Sequence, residues 1–333
     1  MRFLIIGIVF VGVVLALLPH VMYLLAKLVS LFAPLRVGYR PFGIAALGLL
    51  VLWIAVALWG NAYGRFRHEV KRVGLSFEAL PQSFDGLRIV HISDLHLDGW
   101  VGHERELQER VDEINALGPD IICFTGDLVS LGADELKPFA PILRSLRAKE
   151  EGQVYAVLGN HDYLPYNRSL STSQRMAAVA ELVRMEREEL GWKVLLNESV
   201  FLCRGNDSIA ILGSENQSVG AHPVVQRGDL KKTMAGIDSK QTFSILLTHD
   251  PSQWRKEVLP QTDIPMTLSG HTHAMQLRVF GFTPSQWLYP ECDGLYSEGG
   301  QHLYVNIGLG GTLPWRIGAT PEITLLTLNR SSK

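Results

Sequence analysis

The chain has 333 residues, with 31 basic and 33 acidic side chains and a formal net charge of −2. No electrostatic footprint points to nucleic acid as a partner, and the length holds one large domain with an appendage. The three cysteines, Cys123, Cys203 and Cys292, stand far apart with no C-x-x-C pair; that argues against a disulfide framework and leans toward a reducing compartment, and Cys123, inside an apolar run, reads as core.

Charge is unevenly distributed. Residues 1–60 contain Arg2, Lys27, Arg36 and Arg40 and no acid, so all 33 acids lie in the remainder. Phe3 to Leu18 is an unbroken apolar run that ends at Pro19-His20, and apolar residues resume from Val21 to Phe32 around Lys27. A secretory signal peptide is the alternative, but no small-x-small cleavage site follows cleanly and the chain stays apolar to about residue 32. Phe42 to Gly60 is a second uncharged run, long enough at ~1.5 Å per residue to cross a ~30 Å hydrocarbon core. The expectation is a membrane anchor over 1–60, with transmembrane helices at 3–32 and 42–60 joined by a turn from Pro34 to Pro41. Trp53 and Trp59 suit the interface. Arg2 together with Arg65, Arg67, Lys71 and Arg72 outweighs Arg36 and Arg40 in the turn. The positive side faces inward, so the protein is expected to be a multi-pass protein of the cell (inner) membrane with its soluble part in the cytoplasm.

Residues 61–84 read as a juxtamembrane linker, closing on the turn signal Phe84-Asp85-Gly86; 85–333 form the soluble domain. A rhythm of strand, polar loop and helix follows. Leu87 to Ser93 is a strand, followed by Asp94-Leu95-His96. Glu104 to Leu117 is a helix with Leu107, Val111, Ile114 and Leu117 on one face. Ile121 to Thr125 is a buried strand, followed by Gly126-Asp127, and Leu136 to Arg147 is a helix. Val154 to Leu158 is a strand, followed by Gly159-Asn160-His161-Asp162. Strands alternating with helices imply a parallel sheet. Ser173 to Leu190 reads as a longer amphipathic helix. The pattern then turns β-rich, with strands at 193–196, 200–203, 209–213, 243–248, 266–269, 303–307 and 323–328. His249 follows the strand at 243–248, and Gly270-His271-Thr272-His273 follows that at 266–269. The Gly-rich run 308–312 lacks the lysine and helix of a P-loop.

Eight ligand-type residues therefore sit at five strand ends: Asp94, His96, Asp127, Asn160, His161, His249, His271 and His273. Any one of them alone could cap a turn, but all of them together suit a two-metal site. Imidazole and carboxylate without thiolate fit manganese, iron, zinc or nickel. A carboxylate bridging two ions ~3.5–4 Å apart serves the attacking and leaving oxygens of phosphoryl transfer. Spacing of two residues in Asp94-x-His96 and His271-x-His273 puts both ligands on one side of an extended backbone. Gly126, Gly159 and Gly270 permit tight turns there.

With these residues in view, the sequence resembles the calcineurin-like metallophosphoesterase superfamily. Its motifs D-x-H, G-D, G-N-H-D/E, a lone H and G-H-x-H stand in family order from Asp94 to His273. Within it, the sequence looks most like a membrane-anchored bacterial branch that includes a UDP-2,3-diacylglucosamine pyrophosphatase. That match rests on the leader helices, on Ile92 to Leu97, and on Asn306 to Gly310. The resemblance implies an α/β fold: a four-layer αββα metallophosphoesterase sandwich of two mixed sheets, here preceded by two transmembrane helices. It also implies roles. Asp94, His96 and His273 would hold one divalent ion, and Asn160, His249 and His271 a second, with Asp127 bridging. Manganese comes first, with iron or zinc as alternatives. His161 would face the substrate phosphate and protonate the leaving oxygen, Asp162 would orient His161, and a metal-bridging hydroxide would be the nucleophile. The implied activity is hydrolysis of a phosphodiester or pyrophosphate, and the anchor suggests a lipid-linked substrate at the membrane. The alternative is a non-catalytic membrane scaffold or binding module on the same fold. Ser130 stands where the family often has Asp or Asn, and Ala274-Met275-Gln276 where this branch often has Gly-Gly-Gln. The segments Tyr163 to Arg175 and Phe280 to Tyr296, with Trp287 and Tyr289, are the expected substrate contacts.

Overall fold

The structure, a computed structural model, describes residues 2–33, 36–150, 154–219 and 224–331, with side chains from residue 10 onward. Helix α1 runs Arg2–Val29 with Pro19 inside it. Helix α2 runs Arg40–Trp59 and widens into one π-helical turn, Gly60–Gly64. Both are long and apolar enough to cross a membrane, and Leu24, Leu25, Leu47, Leu52 and Leu58 stay exposed on them. Of the turn expected from Pro34 to Pro41, Pro34 and Leu35 lie outside the described residues; Arg40 and Pro41 already belong to α2.

The expected linker 61–84 is not a plain linker. It contains strand β1, Glu69–Phe77, which pairs in parallel with the last strand of the chain, Glu322–Arg330. The signal was the alternation Val73, Leu75, Phe77, with Leu75 and Phe77 buried. Glu69, Lys71 and Arg72 masked it, and Lys71 in fact pairs with the buried Glu322.

The remaining strands are β2 Leu87–Ile92, β3 Ile121–Phe124, β4 Val154–Ala156, β5 Lys193–Val194, β6 Glu198–Arg204, β7 Asp207–Gly213, β8 Ser244–Leu247, β9 Met266–Ser269, β10 Gly294–Glu298, β11 Gln301–Val305 and β12 Glu322–Arg330. They form two six-stranded sheets, β1-β12-β2-β3-β4-β5 and β10-β11-β9-β8-β7-β6. In the first, only β12 and β2 run antiparallel. In the second, β7 to β11 are parallel through β8 and β9, and β6 and β10 are antiparallel edges.

Each central strand is apolar on both faces, as a strand buried between two layers must be. Leu87 and Ile89 of β2, Ile121 and Cys123 of β3, and Tyr155 of β4 face the second sheet, meeting Ile209, Ile211, Ile245 and Leu247. Val90, Ile92, Ile122 and Phe124 face outward, onto helix α3, Glu104–Ala116, through Leu107, Val111 and Ile114. On the far side of the second sheet, Ala210, Leu212 and Leu246 meet Trp254, Val258 and Ile264. These three cores separate four layers, the αββα sandwich. Cys123 is core, as expected.

Two helices differ from expectation. That over 136–147 shrinks to a single turn, α4, Ala140–Leu143, with Pro141 in its first turn, where a missing N–H does no harm but cannot extend a longer helix upstream. That over 173–190 is α5, Thr172–Arg184, opened by Ser171 and Gln174 in a reciprocal cap. It ends in a π-turn, Met185–Glu189, that buries Glu186. Strand β10 had no sequence signal beyond Leu295 and Tyr296 between glycines.

Candidate metal centre

The carboxyl ends of β2, β3 and β4 in one sheet, and of β8 and β9 in the other, converge on one point. All eight strand-end residues meet there. Asp94, His96, Asp127 and His273 are buried, with one ligand atom from each lying within 4.8 Å of all the others. His96 Nε2 lies 3.4 Å from Asp127 Oδ2 and 3.3 Å from His273 Nε2; His273 Nε2 lies 3.3 Å from Asp94 Oδ1. On the other side of Asp127, His249 Nε2 is 3.3 Å from the same Oδ2. His249 Nε2 and His271 Nδ1 stand 3.1 and 2.8 Å from Asn160 Oδ1 and 3.2 Å from each other. Two donor clusters thus share Asp127.

Neighbours aim these donors. His249 Nδ1–H donates to the Thr125 carbonyl at 2.7 Å, which leaves Nε2 as the free acceptor facing the site. Asn160 Nδ2 donates to the Tyr166 hydroxyl at 3.1 Å, which turns its carbonyl oxygen toward the two imidazoles. His96 Nδ1 lies 3.2 Å from Ser130 Oγ. Buried histidines and acids packed this closely, with Nε2 atoms pointing at one another, suit divalent cations; the donor set of nitrogen and oxygen without sulfur fits manganese, iron or zinc.

Charge follows from the packing. Burial works against a charged His249, yet the Asp127 carboxylate beside it pushes the imidazole up to about 10. Burial disfavours the Asp127 anion, but His249 and His161 hold it well below the usual carboxylate range. Burial, with His96 and the Arg316 guanidinium nearby, holds His273 well below the usual imidazole range.

The backbone is strained where it delivers these ligands. Asp94, His96, Asp127, His271 and His273 have φ of 53°, 46°, 59°, 77° and 50°, a left-handed region costly for residues with a Cβ. The expected extended geometry at Asp94-x-His96 and His271-x-His273 is therefore corrected: the paired ligands meet because the chain turns, not because it alternates. The glycines also act differently from expectation. Only Gly126 uses positive φ, at 93°. Gly159 lies against the Asp127 carboxylate, and Gly270 against Ser93 and Asp94, where a Cβ would overlap them.

Asp162 does not orient His161. Its carboxylate accepts the backbone N–H of Asp127 at 2.7 Å, Leu128 at 2.9 Å, Val129 at 3.1 Å and Gly159 at 2.8 Å. It staples the two loops that carry Asp127 and Asn160. Burial and the nearby Asp127 push Asp162 up to about 7, against those four donors. His161 instead donates from Nδ1 to the Ser130 carbonyl at 3.1 Å, and its N–H donates to Asp127 Oδ1 at 2.8 Å. Its ring lies 4.8 Å from that of His96 and 4.4 Å from that of Tyr166.

Sequence reasoning missed three contributors. Tyr166 had only its place inside a suspected substrate loop. Thr125 acts through a backbone carbonyl, which no residue type announces. Arg316 is fully buried, and its guanidinium donates to the carbonyls of Ile307, Gly308, Gly310 and Ala319 at 2.7, 3.3, 2.6 and 3.1 Å. Burial pulls it down to about 10. It folds the 307–310 loop over Asp94, whose carbonyl accepts from Gly310 at 2.9 Å. Tyr289, a suspected substrate contact, puts its hydroxyl 2.8 Å from His271 Nε2. Trp287 stays outside, exposed. Beside His96 a cavity of about 250 Å³ reaches the end of α2, lined by Arg65, Asp98, Trp100, Gln276, Thr312 and Pro314 among others.

Two donor clusters sharing a carboxylate at the strand ends of an αββα sandwich define a dinuclear-metal hydrolase of phosphoester or pyrophosphate bonds. The chain belongs to the calcineurin-like phosphoesterase family, whose model matches residues 87–275. It is 32% identical over 312 residues to an uncharacterized metallophosphoesterase, YkuE, of Bacillus subtilis, covering 89% of this chain and 99% of that one. It is 29% identical to a transmembrane protein with metallophosphoesterase domain of Danio rerio, covering 85% of this chain and 62% of that one. It is 30% identical to the UDP-2,3-diacylglucosamine pyrophosphatase LpxG of Chlamydia trachomatis, covering 74% of this chain and 86% of that one. Similarity thus extends beyond bacteria. Among solved structures, a dimetal phosphatase from Danio rerio matches at 12% identity with a TM-score of 0.40, covering 69% of this chain and 90% of that one.

Proposed function

We propose that this protein hydrolyses a phosphodiester or pyrophosphate, lipid-linked, at the cytoplasmic face of the cell membrane. The observation that carries the reading is the sharing of Asp127 between the two donor clusters, with the His161 ring beside them. Asp94, His96 and His273 would hold one divalent ion, and Asn160, His249 and His271 the other, with manganese the first choice. Two such ions, when bound, supply Lewis-acid charge and a water made acidic enough to attack.

The protein's own groups do the rest. Donation from Nδ1 to the Ser130 carbonyl holds the His161 ring in place and leaves Nε2 free; Nε2 takes a proton from solvent and, as the imidazolium, hands it to the departing oxygen. Tyr166 packs on the ring and limits its rotation. Asp162 holds the Asp127 and Asn160 loops in register. The Arg65-lined cavity supports a substrate with a polar head at the membrane surface, since it links His96 to the end of α2. The activity for which the Chlamydia relative is named points the same way. Arg2, Arg65, Arg67, Lys71 and Arg72 support the cytoplasmic orientation.

The test is hydrolysis by the purified full chain in detergent, with metal stripped or Mn²⁺ restored, alongside His161→Ala. Substrates are an aryl phosphodiester, its monoester and a nucleotide-lipid pyrophosphate. Metal-dependent cleavage that drops in the variant is expected. Two bound metals with no turnover on any of the three would sink the reading.

A further inference from the structure

One short loop carries an unusual load of exposed apolar side chains. Between Leu277 and Tyr289, Val279 is 45% exposed, Phe280 105%, Phe282 42%, Trp287 77% and Leu288 56%. The tip is a tight hairpin: Val279 and Phe282 exchange both backbone hydrogen bonds, at 2.9 and 3.0 Å. Phe280 and Gly281 between them have φ of 51° and 83°, the pair of positive angles that a two-residue turn of this hand needs. Glycine accepts that easily, whereas phenylalanine does not, and the result drives the Phe280 ring straight away from the protein. The rings of Phe282 and Trp287 pack at 5.2 Å, which joins the hairpin to the turn at Pro284–Trp287. Contiguous exposed patches of this kind mark a binding surface.

The base of the loop is tied to α1 and α2. Arg278 N–H donates to the Ile317 carbonyl at 2.7 Å, next to the bridge between Leu277 and Ile317. Leu277, Leu313 and Ile317 pack around Trp315, which meets Trp53 and Ala57 of α2 together with Val11 and Leu15 of α1. The Trp53 and Trp315 rings stand edge to face at 5.9 Å. Trp53 precedes the end of the helical run at Gly64 by roughly 16 Å at 1.5 Å per residue. Leu52 and Leu58 flank it, still exposed. The soluble domain therefore grips α2 partway down its apolar span, and the aromatic loop leaves from that grip.

We propose that the Leu277–Leu288 loop inserts Val279, Phe280, Phe282, Trp287 and Leu288 into the same bilayer that α1 and α2 cross. Phenylalanine, tryptophan and leucine are the residues that seat a peripheral element at the acyl boundary. Arg278, paired with Asp293, marks the headgroup level. Tyr289, the next residue, touches His271, so insertion fixes one wall of the metal centre at the lipid surface.

The experiment uses the full chain with Cys203→Ser, which removes the exposed native thiol. Single cysteines at Phe280→Cys, and at Phe201→Cys on the opposite edge strand β6 as control, carry an environment-sensitive fluorophore. The protein sits in nanodiscs of phosphatidylethanolamine and phosphatidylglycerol, with or without doxyl-labelled acyl chains. Insertion predicts a blue-shifted emission at residue 280 that doxyl lipids quench and aqueous iodide does not, with the reverse at residue 201. Iodide quenching at 280 equal to that at 201 overturns the proposal. So does protection from both quenchers, which would mean that a second copy or another protein covers the loop.

Discussion

Asp127 is the residue on which both clusters lean, and its charge matters more than its shape. Asp127→Asn keeps the size and the bond from the His161 N–H, but removes the anion that holds His249 protonatable and faces His96. Metal content by elemental analysis should fall together with hydrolysis. His161→Ala touches neither cluster's donors, so metal content should persist while turnover falls ~10²-fold or more, as loss of a positioned acid does. Asp162→Asn separates structure from chemistry. An amide offers one acceptor oxygen to four N–H donors and presents its own N–H₂ to the rest, which costs about 1–3 kcal/mol for each buried group left unmet. The urea midpoint should drop and metal affinity with it. A variant that keeps its midpoint but loses turnover would return Asp162 to the chemistry. The ligands themselves were legible because histidine, asparagine and carboxylate at strand ends are conspicuous. The duty of Asp162 was not, because its partners are backbone amides that no sequence displays. The conformations at Asp94 and His271 were equally hidden, since left-handed φ is inferred from glycine and these positions are not glycine.

At the scale of the element, β2 carries a histidine into the gap between the sheets. His91 is fully buried, with Nε2 2.9 Å from Thr125 Oγ1 and Nδ1 without a partner; burial pulls it down to about 3. Its folded-state value lies below its unfolded one, so the unfolded chain binds the extra proton. Stability is complete above about pH 6.5 and is lost as pH falls toward 3, by a total of up to about 5 kcal/mol. The urea midpoint should therefore decline from pH 7 to pH 5, and His91→Gln should flatten that decline. An unchanged slope would show that other groups set the acid limit. Strand character over 87–92 was plain from its apolar run; which of the two faces received the histidine followed from alternation, while its lack of a second partner did not. The anchor is also structural. Cutting the chain after residue 60 would expose Trp315, Leu277 and Ile317, now covered by Trp53 and Ala57. Such a fragment should be less soluble than the full chain in mild detergent and melt lower, a comparison that light scattering and a thermal scan settle.

Across the whole molecule, the two sheets meet through their ligands as well as through their cores. Asp94, Asp127 and Asn160 come from one sheet, and His249, His271 and His273 from the other. Bound ions would tie the sheets together and stabilise the fold in proportion to the logarithm of their concentration over the dissociation constant. Chelation should lower the melting temperature and Mn²⁺ should restore it; a melting temperature indifferent to chelator would mean that the donors do not load. The sandwich was legible from the strand-helix rhythm and the five motifs. Edge strands β1 and β10 were not, because an edge needs few apolar residues and borrows its order from a neighbour.

The pairing of β1 with β12 has a consequence in time. Glu69 leaves the membrane helices early, yet its partner is Glu322, and the register holds to Phe77 against Arg330. At a synthesis rate of about 5–20 residues per second, β1 waits of the order of ten seconds or more for its partner. During that wait it is a strand without a sheet, tethered beside the bilayer. The charges that hid it from sequence reading, Glu69, Lys71 and Arg72, suit that interval, since charged side chains keep an unpaired edge from recruiting the wrong neighbour. Closing the first sheet thus waits for β12, and the anchored end of the domain stays open until that strand is made.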